Sequence, residues 1–328
     1  MSALDVRPRE TSIDLVRSIG VIAIVSGHVW DTTLSRDLLY TWHVPVFFFI
    51  SGYLWTSGRT VRGEVVRRSK TLLKPYVFWW AALIVPYIAV LAVSSDLTFR
   101  NIIAPLYGGA AVGRPFTTFW FVFALFATAV IWRALERTPV TVRASVVVFA
   151  IALTPFAGPM LALTPLAIGA ALPALSLLAA GQIARRYEPQ RATPSVVIAV
   201  ALILAAATAT WAGVVTPLDI KRGEWGAPIV SLVAAAAISW ALVLAAKVLS
   251  PHLGRLGNAV TWFSLCGFTI VLAHPAVIWV AEPFLPTLVV FALALAVPVV
   301  IAQVAMRTPI SQWVTGVPSR ARKHNSRI

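Results

Sequence analysis

Residues 287–306 read TLVVFALALAVPVVIAQVAM, a run without one charged side chain. At about 1.5 Å per residue, such a helix spans a hydrocarbon core of about 30 Å. The stretches from Ser195 to Gly213 and from Ile229 to Ala246 repeat the pattern. In a single segment of that length only a helix satisfies its own backbone polar groups. A β-barrel would alternate apolar and polar residues in stretches of about ten, and that alternation is absent. Over the whole chain, 59% of the 328 residues are hydrophobic, 12% are charged and the mean hydropathy is +0.83. Soluble domains carry about 25% charged residues, so this chain lacks the charge for a water-facing surface.

The same criterion places segments at 13–30, 40–57, 75–94, 117–133, 144–161, 164–184, 195–213, 229–247, 259–280 and 287–306. Pro155, Pro159, Pro165 and Pro173 interrupt the stretch 144–184 and predict a tight outer turn plus a kink. The polar stretch Met1 to Thr11 precedes an apolar segment with no small-residue cleavage signature, so that segment is expected to be a retained helix. The expected architecture is an all-α, polytopic integral membrane bundle of about ten transmembrane helices with both termini cytoplasmic. Residues 1–12 form a cytoplasmic segment, 13–307 the transmembrane domain and 308–328 a basic cytoplasmic tail.

Charge distribution supports that topology. With the N-terminus inside, the inner segments hold 21 of the 27 basic residues. The outer segments hold Arg36, Arg100, Arg114, Lys221 and Arg222, while Arg17 lies within the first helix. The net charge of +15 then reflects the positive-inside bias and contact with anionic inner-leaflet lipid, and nucleic acid need not be invoked. Trp30, Trp42, Trp55, Trp211 and Trp225 fall near segment ends, where indoles favour the interface. The single cysteine, Cys266, excludes an internal disulfide. His28, His43, His252, His274 and His324 show no metal-ligand spacing, so no metal is expected.

Ionisable residues concentrate in the first helix. Charged or titratable groups inside membrane segments are costly, face the bundle interior and are functional candidates by default. Asp14 and Arg17 are three apart and can pair on one face. Arg17 and His28 are eleven apart, which returns them to one helical stripe about 16 Å apart along the axis. They cannot touch, but they define one groove with a cation at its inner end and an imidazole, suited to general-base work, nearer the outer end. On spacing alone, Arg17 is equally readable as an interfacial anchor and His28 as a helix-end histidine near water. The second segment adds His43 and the small step Ser51-Gly52. Between Gly58 and Lys74, six basic residues face only Glu64, a composition that suits an anionic ligand as well as topology.

In this order the elements resemble the acyltransferase-3 family of membrane acyltransferases. The matching pieces are SIDLVR at 12–17 followed by His28, HVPVFFFISGY at 43–53, RRSKTLLKPY at 67–76 and FWFVFALF at 119–126, with Gly257-Asn258 and His274-Pro275 as weaker ones. The resemblance implies a ten-helix plasma-membrane enzyme, an O-acyltransferase moving acyl groups from cytoplasmic acyl-CoA, usually acetyl-CoA, to hydroxyls of extracytoplasmic glycans or lipid-linked sugars. It implies catalytic roles for His28, Arg17 and Asp14, donor binding at Arg67, Arg68, Lys70 and Lys74, and acceptor contacts at His43, Ser51, Trp120 and His274. Acyl-CoA is then a substrate, with no permanently bound cofactor, and the partners are the acceptor and membrane lipid. The competing class is a secondary transporter or flippase without acyl chemistry, although transporters place such groups in paired repeats and none is visible here.

Overall fold

The computed structural model describes residues 10–319, so expectations for residues 1–9 and 320–328 lie outside the described residues. Among the described residues the regular structure is helical, apart from one isolated bridge between Asp219 and Glu224. The helices are α1 (Thr11–Val29), α2 (Pro45–Tyr53), α3 (Val61–Val93, with a π-turn at Ser69–Leu73), α4 (Phe99–Tyr107), α5 (Phe119–Leu135) and α6 (Val140–Ala152). They continue as α7 (Thr154–Ala162), α8 (Pro165–Arg186), α9 (Ala192–Trp211), α10 (Pro228–His252), α11 (Arg255–Ala281), α12 (Thr287–Ala305) and the short α13 (Ser311–Thr315).

Seven of these, α1, α3, α8, α9, α10, α11 and α12, are long and apolar enough to cross a membrane, and eight if α6 and α7 form one broken span. Their burial sorts them by position. The most apolar window of α1 is 61% buried, whereas those of α3 and α9 are 17% buried. Side chains such as Val85, Val197 and Leu204 project outward from α3 and α9 over half exposed. A water-soluble protein does not carry so continuous an apolar surface, and lipid is the solvent that covers it. The chain is a multi-pass membrane protein with α1 at its centre.

Two expected segments take another form. The segment at 40–57 is not one long helix: Arg36–Tyr40 is a π-turn and α2 is only nine residues, about 13 Å. Its side chains Val46, Phe48, Phe49 and Ile50 are buried in protein, and a short helix with such a core has the composition of a span without its length. The segment at 144–161 is bent by 84° between α6 and α7, where Pro155 follows directly. The kink expected from the prolines is therefore a break, and Leu166 and Ala167 turn the chain with positive φ within the first residues of α8. Of the expected tail, residues 308–319 lie against α3: the Trp79 indole donates to the Val314 carbonyl at 3.0 Å.

α2 is held by close backbone approach at two glycines, one on it and one on α8. A Cβ on Gly52 would lie 1.8 Å from the Leu178 carbonyl oxygen of α8, and one on Gly181 would lie 2.0 Å from the Phe49 oxygen. Small residues permit such backbone approach in membrane bundles. Gly52→Ala and Gly181→Ala are expected to cost about 1–3 kcal/mol each through overpacking, seen as lowered thermal stability in detergent. Gly257→Ala, where the nearest atoms are 3.4 Å away, should leave the melting temperature unchanged.

Candidate active site

α11 contains Pro275, which has no N–H to donate to the Val271 carbonyl one turn earlier. The Thr118 hydroxyl, just before α5, donates to that carbonyl at 2.7 Å and fastens the two helices together. The neighbouring carbonyl of Ile270 lies 2.7 Å from Nδ1 of His274. A carbonyl only accepts, so His274 carries its proton on Nδ1 and its Nε2 is an acceptor. That Nε2 lies 2.9 Å from Nδ1 of His28 in the last turn of α1. His28 therefore donates through Nδ1 and keeps its lone pair on Nε2, a tautomer assigned from the hydrogen-bond chain. His274 is fully buried. The pair spans 246 positions of sequence, and its geometry orients an imidazole base.

His28 opens onto a cavity of about 300 Å³ also lined by Tyr40, His43, Arg114, Trp120 and Lys221. Three of the expected acceptor-side residues, His43, Trp120 and His274, thus gather at or behind one cavity. His43 is tied through Nδ1 to the Leu39 carbonyl at 2.7 Å. Arg114 donates to the His28 carbonyl at 2.8 Å and pairs with Glu282. The Lys221 ammonium donates to the Val112 carbonyl at 2.8 Å and the Thr117 hydroxyl at 2.6 Å, and burial pushes it down to about 8. Arg36 lies 3.4 Å from Asp219 and sits over the Tyr40 ring. Arg36, Arg114, Lys221 and Arg222 all line the cavity, so four of the five cations assigned by the charge partition to outer segments converge there. Individually these residues went unrecognised in the sequence, although their position on the cation-poor side marks them.

At the other end of α1, Asp14 is fully buried, accepts from Ser264 at 3.0 Å and pairs with Arg17 at 3.4 Å. The expected donor cations are dispersed. Arg68 bonds Glu64 at 2.9 Å and the Ser51 hydroxyl at 2.8 Å, and Arg67 is largely exposed 3.9 Å from Glu64. Lys70 is exposed on the π-turn, while Lys74 reaches Gln312 and the Trp313 ring. Ser51 and these four residues line neither this cavity nor the larger one at the opposite end. Among the described residues, no group of three or more His, Cys, Asp or Glu gathers as a metal would require.

A family model described as an acyltransferase domain matches residues 10–307, from the start of α1 to the end of α12. The chain belongs to the acyltransferase-3 family. It is similar to the nodulation protein NolL of Sinorhizobium fredii (strain NBRC 101917 / NGR234), 29% identical over 137 residues. That match covers 37% of this chain and 35% of NolL, so the chain spans about a third of the curated relative. No solved structure matches it. Within the matched domain, the orientation of His28 by His274 is the part of the interior with the geometry of an oriented imidazole base.

The ammonium of Lys221 is cationic below pH about 8 and neutral above it. The apparent KM for an acceptor is expected to rise as pH passes 8, and Lys221→Met should raise KM at neutral pH and abolish that inflection. An identical inflection in the variant would assign it to another group.

Proposed function

We propose that this acyltransferase-3 protein moves an acyl group, acetyl in the usual case, from cytoplasmic acyl-CoA to a hydroxyl of an extracytoplasmic glycan or lipid-linked sugar. The observation that carries this reading is the free Nε2 lone pair of His28, aimed at a polar cavity and oriented by His274. The 21 inner basic residues support a plasma-membrane topology in which both ends are cytoplasmic and the His28 cavity faces outward.

The acceptor hydroxyl enters from the outer side, where His43 and Trp120 line its route. His28 Nε2 takes the hydroxyl proton as the oxygen attacks the thioester carbonyl carbon. The tetrahedral intermediate then expels the thiolate, which receives the proton from His28, while the acyl group remains on the acceptor oxygen. His274 holds the imidazole in the required tautomer and accepts from Nδ1–H as positive charge develops. Arg17, braced by Asp14 and about 16 Å lower on α1, serves the donor side and cannot contact the reacting proton. Ser51 already accepts a hydrogen bond from Arg68, which supports direct transfer over an acyl-enzyme.

His28→Ala should lower kcat by about 10²–10⁴-fold, the range of a lost general base, in membranes holding equal amounts of protein and radiolabelled acetyl-CoA. His274→Ala should lower kcat by about tenfold or more with a smaller change in acceptor KM, since it acts through His28. Parental turnover in His28→Ala would remove that residue as the base. Acceptor movement across the membrane without transfer of label would replace the enzyme reading with transport.

A further inference from the structure

A second cavity, of about 600 Å³, opens where α2, α5 and α8 end and α6 begins. α5 connects it to the first: Trp120 faces the His28 cavity and Arg133 the other, about 20 Å along the helix. Six arginines line it, Arg59, Arg133, Arg137, Arg143, Arg185 and Arg186, against one carboxylate, Glu136.

Three of the six are neutralised by protein. Arg59 and Arg133 bond the fully buried Glu64 at 2.7 and 3.1 Å, and Arg133 also pairs with Glu136 and stacks on Trp55 at 4.1 Å. Arg185 bonds Glu188 at 3.0 Å and the Tyr53 hydroxyl at 2.9 Å. The other three, Arg137, Arg143 and Arg186, have no acceptor among the described residues, and Nε of Arg143 is buried without a partner. Arg137 and Arg186 are exposed at the rim, where they add positive charge, while the buried N–H of Arg143 left unbonded calls for an acceptor. The guanidinium fork pairs bidentately with phosphoryl oxygens, and a concave basic surface concentrates such anions. Glu64 locks the floor of the cavity, so the free arginines sit above a fixed frame.

We propose that this cavity binds a ligand bearing two or more phosphoryl groups, held by Arg137, Arg143 and Arg186. Only the ligand's identity rests on the function proposed above: there it is the nucleotide end of acyl-CoA, whose charged phosphates stay at the inner cavity while the acyl thioester extends along α5 toward His28. The assignment moves donor binding away from Arg67, Arg68, Lys70 and Lys74, none of which lines this space. A phospholipid headgroup shares part of the chemistry but carries one phosphoryl group.

The test is calorimetric titration of the full chain, reconstituted in zwitterionic nanodiscs, with coenzyme A, ADP, inorganic pyrophosphate and adenosine. The first three should bind and adenosine should not. Arg143→Gln with Arg186→Gln should weaken binding by about tenfold or more, the range of a lost charged hydrogen bond. Arg67→Gln with Lys70→Gln should leave it unchanged. The reverse dependence overturns the proposal, as does absence of binding by all three phosphorylated probes. Nanodiscs containing phosphatidylglycerol separate the sources: lipid retained in native mass spectra and not displaced by pyrophosphate overturns it in favour of a headgroup site. Pyrophosphate bound with the expected arginine dependence, but coenzyme A not, leaves the inference standing and removes acyl-CoA as donor. Should the double variant fail to fold, a photoreactive azido-ADP on the parent chain decides. Label on residues 137–143 and 185–186 supports the site, and label on 67–74 overturns it.

Discussion

Hydrocarbon offers no hydrogen bonds, and that constraint places the carboxylates and histidines buried in this bundle. The groups that lie deep are matched inside the protein: Asp14 by Ser264 and Arg17, Glu64 by Arg59, Arg68 and Arg133, His28 by His274. Even the carbonyl of Val271, orphaned by Pro275, receives the Thr118 hydroxyl. Of the side-chain atoms buried without a partner among the described residues, Nε of Arg133 and of Arg143 belong to the second cavity, while Ser35 and the indoles of Trp132, Trp225 and Trp240 lie outside both. The lone pair on His28, and the guanidiniums of Arg137, Arg143 and Arg186 that have no acceptor among the described residues, are tolerable because water or ligand can reach them in the two cavities. On the functions proposed above, reactivity and binding belong to the two cavities, at opposite ends of the bundle.

How much of this could be seen in advance depended on the range of each interaction. The Arg17–His28 stripe was legible because helical spacing is a local property, and α1 is a regular helix of 19 residues. The partner of His28 was not legible, because it lies on α11 and no spacing rule joins residues 246 positions apart. Hydropathy identified the long lipid-facing helices, such as α9 and α12, but misjudged the stretch 40–57. α2 is apolar because protein surrounds it, and composition alone does not distinguish a protein interior from lipid. The basic loop 67–74 attracted attention by charge density, yet Arg68 is committed to Glu64 and Ser51. Charge density counts cations without counting their partners.

The cations on the sparse side were the better signal. Positive-inside bias gives inner arginines a reason to exist that is unrelated to chemistry. It gives outer cations no such reason, so each needs another. Four of the five occupy one cavity, where Arg114 bonds the His28 carbonyl and Lys221 bridges the Val112 carbonyl and Thr117. Departures from a topological rule carried more functional information here than agreement with it.

The separation of the cavities constrains what kind of donor can serve both. Arg17 and His28 lie about 16 Å apart on α1, and the cavities lie about 20 Å apart along α5. A ligand anchored at the arginine cavity reaches His28 only through a narrow, uncharged extension, because bulk or charge between α1 and α5 would have to displace the aromatic packing of Phe47, Phe48 and Phe121. On the proposed function, donor and acceptor are recognised by side chains that do not touch. Substitutions at the two ends should combine nearly additively in free energy, whereas His28 and His274, in direct contact, should not. On that reading, the partition lets acceptor preference change through the His28 cavity while the arginine cavity stays the same.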